Sequence, residues 1–495
     1  MVLDTTAAAG VTTQQALIDG TWVDGSRGTF EVRAPFDRSV IGTVARCGQE
    51  EVDRAVAAAR AAQPAWGGMP LLDRVDLMYR AHALCKERNE EIARTISREM
   101  GKTIREAREE MTQYACEHFR RAAEDVLRYR GQVLPSTEER TTNKRLLVTR
   151  RPIGVAGVIT PWNFPVDIAA ISVCYAVAVG DTVVWKPSEY APFSSAMLAD
   201  IFVDAGFPRG VINMVTGAGD VGAAIVEHPG VDAIAFTGNT ATGERIARNA
   251  GLKRLMLELG GNGPLIVLPD ADLDKAVEAS ILGCFYLAGQ CCTAAERILV
   301  HERVLDEFVR RLTERTRDLR VGDPLDEATD MGPLCNEATL HKVHGHVDDA
   351  REKGARITAF GQAEGLIYPP TILTDVTEEM DIARDETFGP VAPIMRFGTE
   401  EEAIRIANGT PFGLNAAVFT DSLRGAWRMA EALDHGTVLV NESTNYWDQL
   451  GPFGGAKKSG VGRELSTWML DALTEVKQIV FDLAPDGHVE GGGAA

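Results

Sequence analysis

The chain is 495 residues long, beyond what one ordinary hydrophobic core serves, so two or three domains are expected. Apolar residues make up 45% and charged residues 25%, the composition of a soluble globular protein. The 71 acidic against 51 basic residues leave a formal charge of −20, which excludes a general binder of nucleic acid or anionic membrane, since both need a positive footprint.

The start, Met1 to Ala16, has no basic segment followed by an apolar core and does not read as a secretory signal. No apolar run approaches the roughly 20 residues of a membrane span. The eight cysteines (47, 85, 116, 174, 284, 291, 292 and 335) contain no Cys-x-x-Cys pair and read as reduced thiols of a cytoplasmic protein.

Short strands with turns open the chain: Leu17-Ile18, Trp22-Val23, then Val40 to Val44. Helical spacing takes over at Glu50, with Val52, Val56 and alanines 55, 58 and 59 on one face. A longer helix follows from Pro70, striped by Ile92, Ile96 and Met100 and stopped by Gly101; another covers Glu106 to Arg128. Between Pro135 and Pro152 a polar, basic stretch leads into Leu146-Leu147-Val148, which reads as strands in a projecting hairpin.

From Val155 strands alternate with helices, the pattern of a parallel, doubly wound sheet. Apolar runs at 155–160, 182–186, 211–215, 232–236 and 254–258 read as buried strands, with helices at about 166–179, 193–205, 219–228 and 240–250. Ligands of such sheets sit beyond the carboxyl ends of strands, where Asn163, Lys186, Thr237 and Glu258 fall. A second α/β region begins after Gly261. A helix is expected from Asp272 to Leu287 and another from Val304 to Leu319. Strands are expected at 298–300, 371–374, 391–397, 416–420 and 437–441, and a last one at Lys477 to Phe481. Residues 485–495 are Gly/Ala-rich and read as disordered.

Several short stretches have the residue types for chemistry. Gly217-Ala218-Gly219-Asp220-Val221-Gly222 matches a dinucleotide fingerprint, but after the third strand of its series, and close helix–strand packing explains the glycines equally well. Lys186-Pro187-Ser188-Glu189 ends a strand; a carboxylate there accepts both hydroxyls of a ribose and repels a 2′-phosphate, or else the segment is a surface turn. Thr237-Gly238-Asn239-Thr240 opens a helix whose free N–H groups suit a pyrophosphate, or need only a cap. Asn163 lies between two prolines, as an amide aimed at an oxyanion or as a turn former. Cys291-Cys292 follows Gly289-Gln290: either a buried apolar pair or a reactive thiol, with Glu258 available to activate water against a thioester. His341, His344 and His346 lack a carboxylate or Cys to complete a ligand set and are read as a solvated helix face, with no metal assigned.

Over nearly its whole length the sequence resembles the aldehyde dehydrogenase superfamily. The resemblance is carried, in order, by Pro161-Trp162-Asn163-Phe164-Pro165, Lys186-Pro187-Ser188-Glu189, Phe236-Thr237-Gly238 and Leu257-Glu258-Leu259-Gly260-Gly261. Gly289-Gln290-Cys291-Cys292, Glu386-Thr387-Phe388-Gly389-Pro390 and the run from Pro452 to Glu464 complete it. The resemblance implies a Rossmann-like doubly wound cofactor domain (1–136 and 152–257), a second α/β catalytic domain (258–450), and a small β oligomerisation arm with the C-terminal tail (137–151 and 470–495). It implies Cys292 as nucleophile, Glu258 as general base and Asn163 as oxyanion donor. Cofactor contacts are implied for Thr160, Pro161, Trp162, Lys186, Ser188, Glu189, Gly219, Phe236, Thr237, Gly238, Asn239, Leu259, Glu386 and Phe388.

The activity so implied is oxidation of an aldehyde to its acid through a cysteine thiohemiacetal and a thioester. NAD is preferred on account of Glu189, with NADP an option, in a homodimer or homotetramer. Glu258 favours hydrolysis over transfer to coenzyme A. A non-catalytic relative or an incidental esterase are the other readings. The substrate pocket is expected to draw on Tyr114, Asp167, Ile171, Tyr286, Cys291, Thr293, Tyr446 and Trp447. Relatives acting on succinate semialdehyde carry Arg where this chain has Tyr286, and Asp167 opposes a carboxylate, so a dicarboxylic semialdehyde is not the expected substrate.

Overall fold

The structure, a computed structural model, describes residues 12–483. The expectation for the tail at 485–495 lies outside them, as do residues 1–11 of the opening segment.

The first large sheet has eight strands. Its parallel centre runs Arg254–Glu258, Ala233–Thr237, Val155–Ile159, Thr182–Lys186, Ile212–Met214. Numbered along the chain that is order 5-4-1-2-3, so the winding reverses between Val155–Ile159 and Ala233–Thr237, the place where such sheets bind ligands. Val155–Ile159 and Thr182–Lys186 are buried at every position, which is why they read as unbroken apolar runs. The helix Asp167–Val179 is equally enclosed: every residue from Ile168 onward is buried, as a helix apolar all round requires. Antiparallel strands flank this centre, and one of them, Gly460–Val461, returns from far along the chain to pair with Leu257 and Glu258.

The second sheet has seven strands, all parallel except Arg356–Ala359 at one edge. Its interior strand Pro264–Val267, between Arg297–His301 and Asn415–Phe419, is absent from the expected elements; it is only four residues long. The expected helix over Asp272 to Leu287 stops at Phe285. Beyond it Leu287 and Ala288 take left-handed φ of 53° and 54°, which turns the chain into the Cys291-Cys292 segment.

The expected helix from Glu106 to Arg128 is three pieces: Ile104–Glu109, a π-helical turn Glu110–Ala115, and Cys116–Arg128. Glu110, the first residue of that turn, ties it to two other segments. Its side chain is fully buried against Lys102 at 2.6 Å, and its Oε1 accepts the amides of Val166 and Asp167 at 3.0 Å. The stretch before Pro152 is one arm of a hairpin that opens earlier than expected, at Gln132, and a strand from far along the chain joins it. Strand Lys144–Pro152 pairs antiparallel with Thr474–Asp482 along its full nine residues, and with Gln132–Leu134 on its other side. No described helix is long and apolar enough to cross a membrane.

Candidate active site

Cys292 is half-buried and lines two cavities at once. One also holds Asn163, Glu258, Glu386 and Phe388; the other holds Tyr114, Asp167 and Trp447. The thiol therefore stands at the junction of two chambers. The Cys291 thiol beside it, burial, and the carboxylates of Glu386 and Glu258 all push the Cys292 thiol up, so it rests protonated.

Glu258 ends its strand and is buried, with neither carboxylate oxygen hydrogen-bonded. Burial and the nearby Glu464 carboxylate hold its proton well above the ordinary carboxylate range, against the pull of Arg463 and the Gly455 amide. The run from Pro452 makes room for it. A Cβ on Gly454 would stand 2.5 Å from Glu258 Oε1, and its φ of +149° is a backbone that side-chain residues rarely adopt. An unpartnered, buried carboxylate of raised pKa in a cleft with a thiol is the arrangement a general base requires. Asn163 is buried and its Nδ2 donates to the Gln290 carbonyl at 3.1 Å, which ties the amide to the segment carrying Cys292.

The first cavity, about 330 Å³, runs along the carboxyl ends of the first sheet. Pro161, Trp162, Thr237, Gly238, Asn239, Leu259, Glu386 and Phe388 line it as the sequence led us to expect. Glu386 is seated against the glycine pair, its Oε1 accepting the Gly261 amide at 2.9 Å, and burial pushes its pKa up. Trp162 and Phe388 meet edge to face, centroids 5.6 Å apart, and Phe388 holds a left-handed φ of 59°. Buried Glu296, absent from the sequence reading, fixes that loop by accepting the amides of Thr387 and Phe388 at 2.9 and 2.8 Å; burial raises it to about 7. Tyr190 and Lys342 also line the cleft unforeseen.

The remaining expected contacts stand apart from that lining. Lys186 and Glu189 pair at 2.9 Å at the end of the neighbouring strand, and Ser188 Oγ accepts the Tyr190 amide. Thr160 accepts the Trp185 indole N–H, and Phe236 belongs to the core beneath Gly238. Gly219 opens its helix with free space where a Cβ would be, while Gly217, at φ +150°, would strike Val221. Of the two readings of that fingerprint, close packing applies at Gly217 only. Asn239 caps its helix by accepting the Ala241 amide at 2.9 Å.

The aldehyde dehydrogenase family profile matches residues 22–479. The chain is 40% identical over 479 residues to the mitochondrial succinate-semialdehyde dehydrogenase of Oryza sativa, covering 95% of this chain and 90% of that protein. It is 39% identical over 477 residues to the NADP(+) succinate-semialdehyde dehydrogenase GabD of Escherichia coli, 95% and 98% covered. The crystal structure of an NAD-dependent aldehyde dehydrogenase from Sinorhizobium meliloti superposes with a TM-score of 0.92 at 38% identity, over 96% of this chain and 95% of that one.

The chain belongs to the aldehyde dehydrogenase family. It is an NAD(P)-dependent enzyme that oxidises an aldehyde to the carboxylic acid.

In this aldehyde dehydrogenase the second cavity shares Cys292 with the first. Of the expected pocket residues, Tyr114, Asp167, Ile171 and Trp447 line it. Tyr286 does not: it stacks behind Phe164 and Trp447, centroids 6.4 and 6.2 Å away, with its hydroxyl on Glu109. Cys291 and Thr293 are buried behind the nucleophile, joined at 3.2 Å, and Thr293 donates to Asn445. Tyr446 is exposed outside the lining. His118, Phe164, Phe453 and Glu464 line the pocket and were missed. Their only sequence signal was proximity to motifs: Phe164 and the last two lie inside them, whereas His118 lay on a helix that read as scaffold. Of the three clustered histidines, His341 and His344 are exposed on the helix Glu337–Glu352, and His346 accepts or donates to Thr387 at 3.1 Å.

Proposed function

We propose that the enzyme works hydrolytically with NAD⁺, using Cys292 as nucleophile, Glu258 as general base and Asn163 as oxyanion donor. The observation that carries this is Glu258: a buried carboxylate without a hydrogen-bond partner, in the cleft that Cys292 lines. Cys292 loses its proton and attacks the aldehyde carbon, and the Asn163 amide steadies the oxygen as charge develops there. When bound, the nicotinamide supplies the hydride acceptor. Glu258 then takes a proton from water, which opens the thioester on Cys292 and releases the acid. Burial raises the pKa of Glu258, so once it has given up its own proton the carboxylate is a stronger base toward water than an exposed glutamate.

The cofactor fits the residues present. Glu386, held by the Gly261 amide, faces the cleft beside Cys292 and would take ribose hydroxyls. The opening turn of the helix Thr240–Asn249 presents backbone amides for a diphosphate. Glu189, half-exposed and paired with Lys186, favours a ribose with free hydroxyls over a 2′-phosphate. Relatives named for NADP(+) show that family membership leaves this choice open. The proposed organisation is a cofactor domain at 1–136 and 152–257, a catalytic domain at 258–450, and an arm of 137–151 with the C-terminal strand and tail joining subunits. Support for the arm is the three-stranded sheet, whose outer strand Thr474–Asp482 exposes Val476 and Val480. Free thiols at all eight cysteines suit a cytoplasmic setting.

The test is reduced-cofactor formation by the purified protein with aldehydes, without coenzyme A, comparing NAD⁺ and NADP⁺. Turnover faster with NAD⁺ is expected. Cys292→Ala should abolish it, and Glu258→Gln should release one equivalent of NADH per site and stall. Full turnover by either variant, or a requirement for coenzyme A, would overturn the assignment.

A further inference from the structure

The far end of the second cavity contains a polar pair that the chemistry at Cys292 does not use. His118, on the helix Cys116–Arg128, is 1% exposed, and its Nε2 lies 2.8 Å from Asp167 Oδ1 at the start of the helix Asp167–Val179. Both residues line the cavity. A carboxylate only accepts, so the His118 Nε2 donates to it. His118 Nδ1 is buried without a partner, and Asp167 Oδ2 has no hydrogen-bond partner among the described residues. The Asp167 carboxylate thus joins the lining with an oxygen to which no described group donates. A buried acceptor left unpaired costs free energy, and a ligand that donates removes that cost.

The rest of the lining narrows the ligand. Trp447 sits edge-on between Tyr114 and Phe164, centroids 6.0 and 5.7 Å away, and Ile168, Ile171 and Phe453 close the walls. Such a chamber suits an apolar or aromatic body. Among the described residues no lysine or arginine lines it. The nearest buried ammonium, Lys102, is spent on Glu110 at 2.6 Å and on the face of the Phe164 ring. The chamber's ionisable groups are instead Asp167, His118, Tyr114 and Glu464, and a substrate carboxylate would find carboxyl groups where it needs cations.

We propose that His118 and Asp167 form a specificity site that selects aldehydes with an apolar or aromatic body and a remote hydrogen-bond donor, a hydroxyl or an amine. The same pair turns away terminally carboxylated aldehydes. The inference rests on Cys292 being the reacting thiol between the two chambers. It separates this chain from the relatives named for succinate and glutarate semialdehydes, whose names denote carboxylated substrates.

The test is kcat/KM of the full-length enzyme with NAD⁺ on matched substrates. The set is benzaldehyde against its 3- and 4-hydroxy derivatives, butanal against 4-aminobutanal, and 4-formylbenzoate with succinate semialdehyde as the carboxylated arm. At least one donor-bearing aldehyde should exceed its unsubstituted parent by about tenfold or more, and which arm wins separates hydroxyl from ammonium recognition. The carboxylated aldehydes should fall below both parents. In Asp167→Leu the donor-to-parent ratio should fall to about one; if that variant does not fold, the wild-type ranking alone decides. A carboxylated aldehyde in first place, parents equal to donors, or an unchanged ratio in Asp167→Leu would overturn the proposal. Silence with every aldehyde would instead overturn the assignment of Cys292 and Glu258, leaving no reaction for the pair to steer.

Discussion

Glu258 and Glu464 are two buried carboxyl groups on adjoining backbone, and each is pushed up partly by a neighbouring carboxylate: Glu464 for Glu258, Asp167 for Glu464. Glu464 moves from 4.5 to about 8. The folded chain therefore keeps protons that the unfolded chain gives up above pH 4.5, and folding is favoured on the acid side of this window. As pH rises from 4.5 through about 8 that contribution is lost. In the proposed mechanism turnover has the opposite slope, because there Glu258 must be an anion to draw a proton from water and Cys292 must be a thiolate to attack. Thermal midpoints measured from pH 5 to pH 8 should fall more for wild type than for Glu258→Gln, whose amide does not titrate. Over the same range wild-type kcat should climb. Equal slopes for the two proteins would mean that Glu258 is ionised at rest.

The π-helical turn Glu110–Ala115 joins the pocket to the interior. It places Tyr114 in the cavity wall while Glu110, four residues earlier, holds the amides that open the helix bearing Asp167. Lys102 and Glu110 are both fully removed from solvent, so taking away one partner strands the other. Lys102→Met should cost about 3–5 kcal/mol, read as a lowered denaturation midpoint, and should weaken substrate turnover because Asp167 and Tyr114 lose their support. None of this was legible in the sequence. The pattern from Glu106 to Arg128 is helical throughout, and a π turn leaves no periodic mark in so short a piece. The partners of Glu110 lie more than fifty positions away, at Val166 and Asp167. By contrast the parallel strands of the first sheet were legible because each carries a mostly apolar, buried run bounded by turns. Cys292, Glu258 and Asn163 were legible because each sits in a short motif at a strand end or sharp turn. Pocket residues such as His118 carry no motif. Tyr286 was misplaced for a related reason: proximity in sequence to Cys292 does not say which side of Trp447 a ring will occupy.

At the scale of the whole molecule, a three-stranded sheet of Thr474–Asp482, Lys144–Pro152 and Gln132–Leu134 is separate from the two large ones. Its strand Thr474–Asp482 pairs on one side only among the described residues, and it exposes Val476 at 61% and Val480 at 52%. A long edge of this kind is a template for another chain unless it is covered. Val476→Lys combined with Val480→Glu should shift the enzyme to a smaller species in light scattering coupled to size exclusion. A wild type that already runs as a monomer would remove the arm from the proposed assembly.

The junction at Cys292 has a consequence for chemical protection. A thiol with a chamber on each side can be approached from two directions, so a small alkylating reagent such as iodoacetamide has two independent paths to the same sulfur. A tight-binding dinucleotide should close one path and a non-reactive carbonyl mimic the other, each slowing inactivation only in part. Both together should nearly stop it, since the rates of two parallel paths add and each ligand removes one of them. The active-site sulfur then behaves as a door between two rooms, and the rate of its modification reports which of them is occupied.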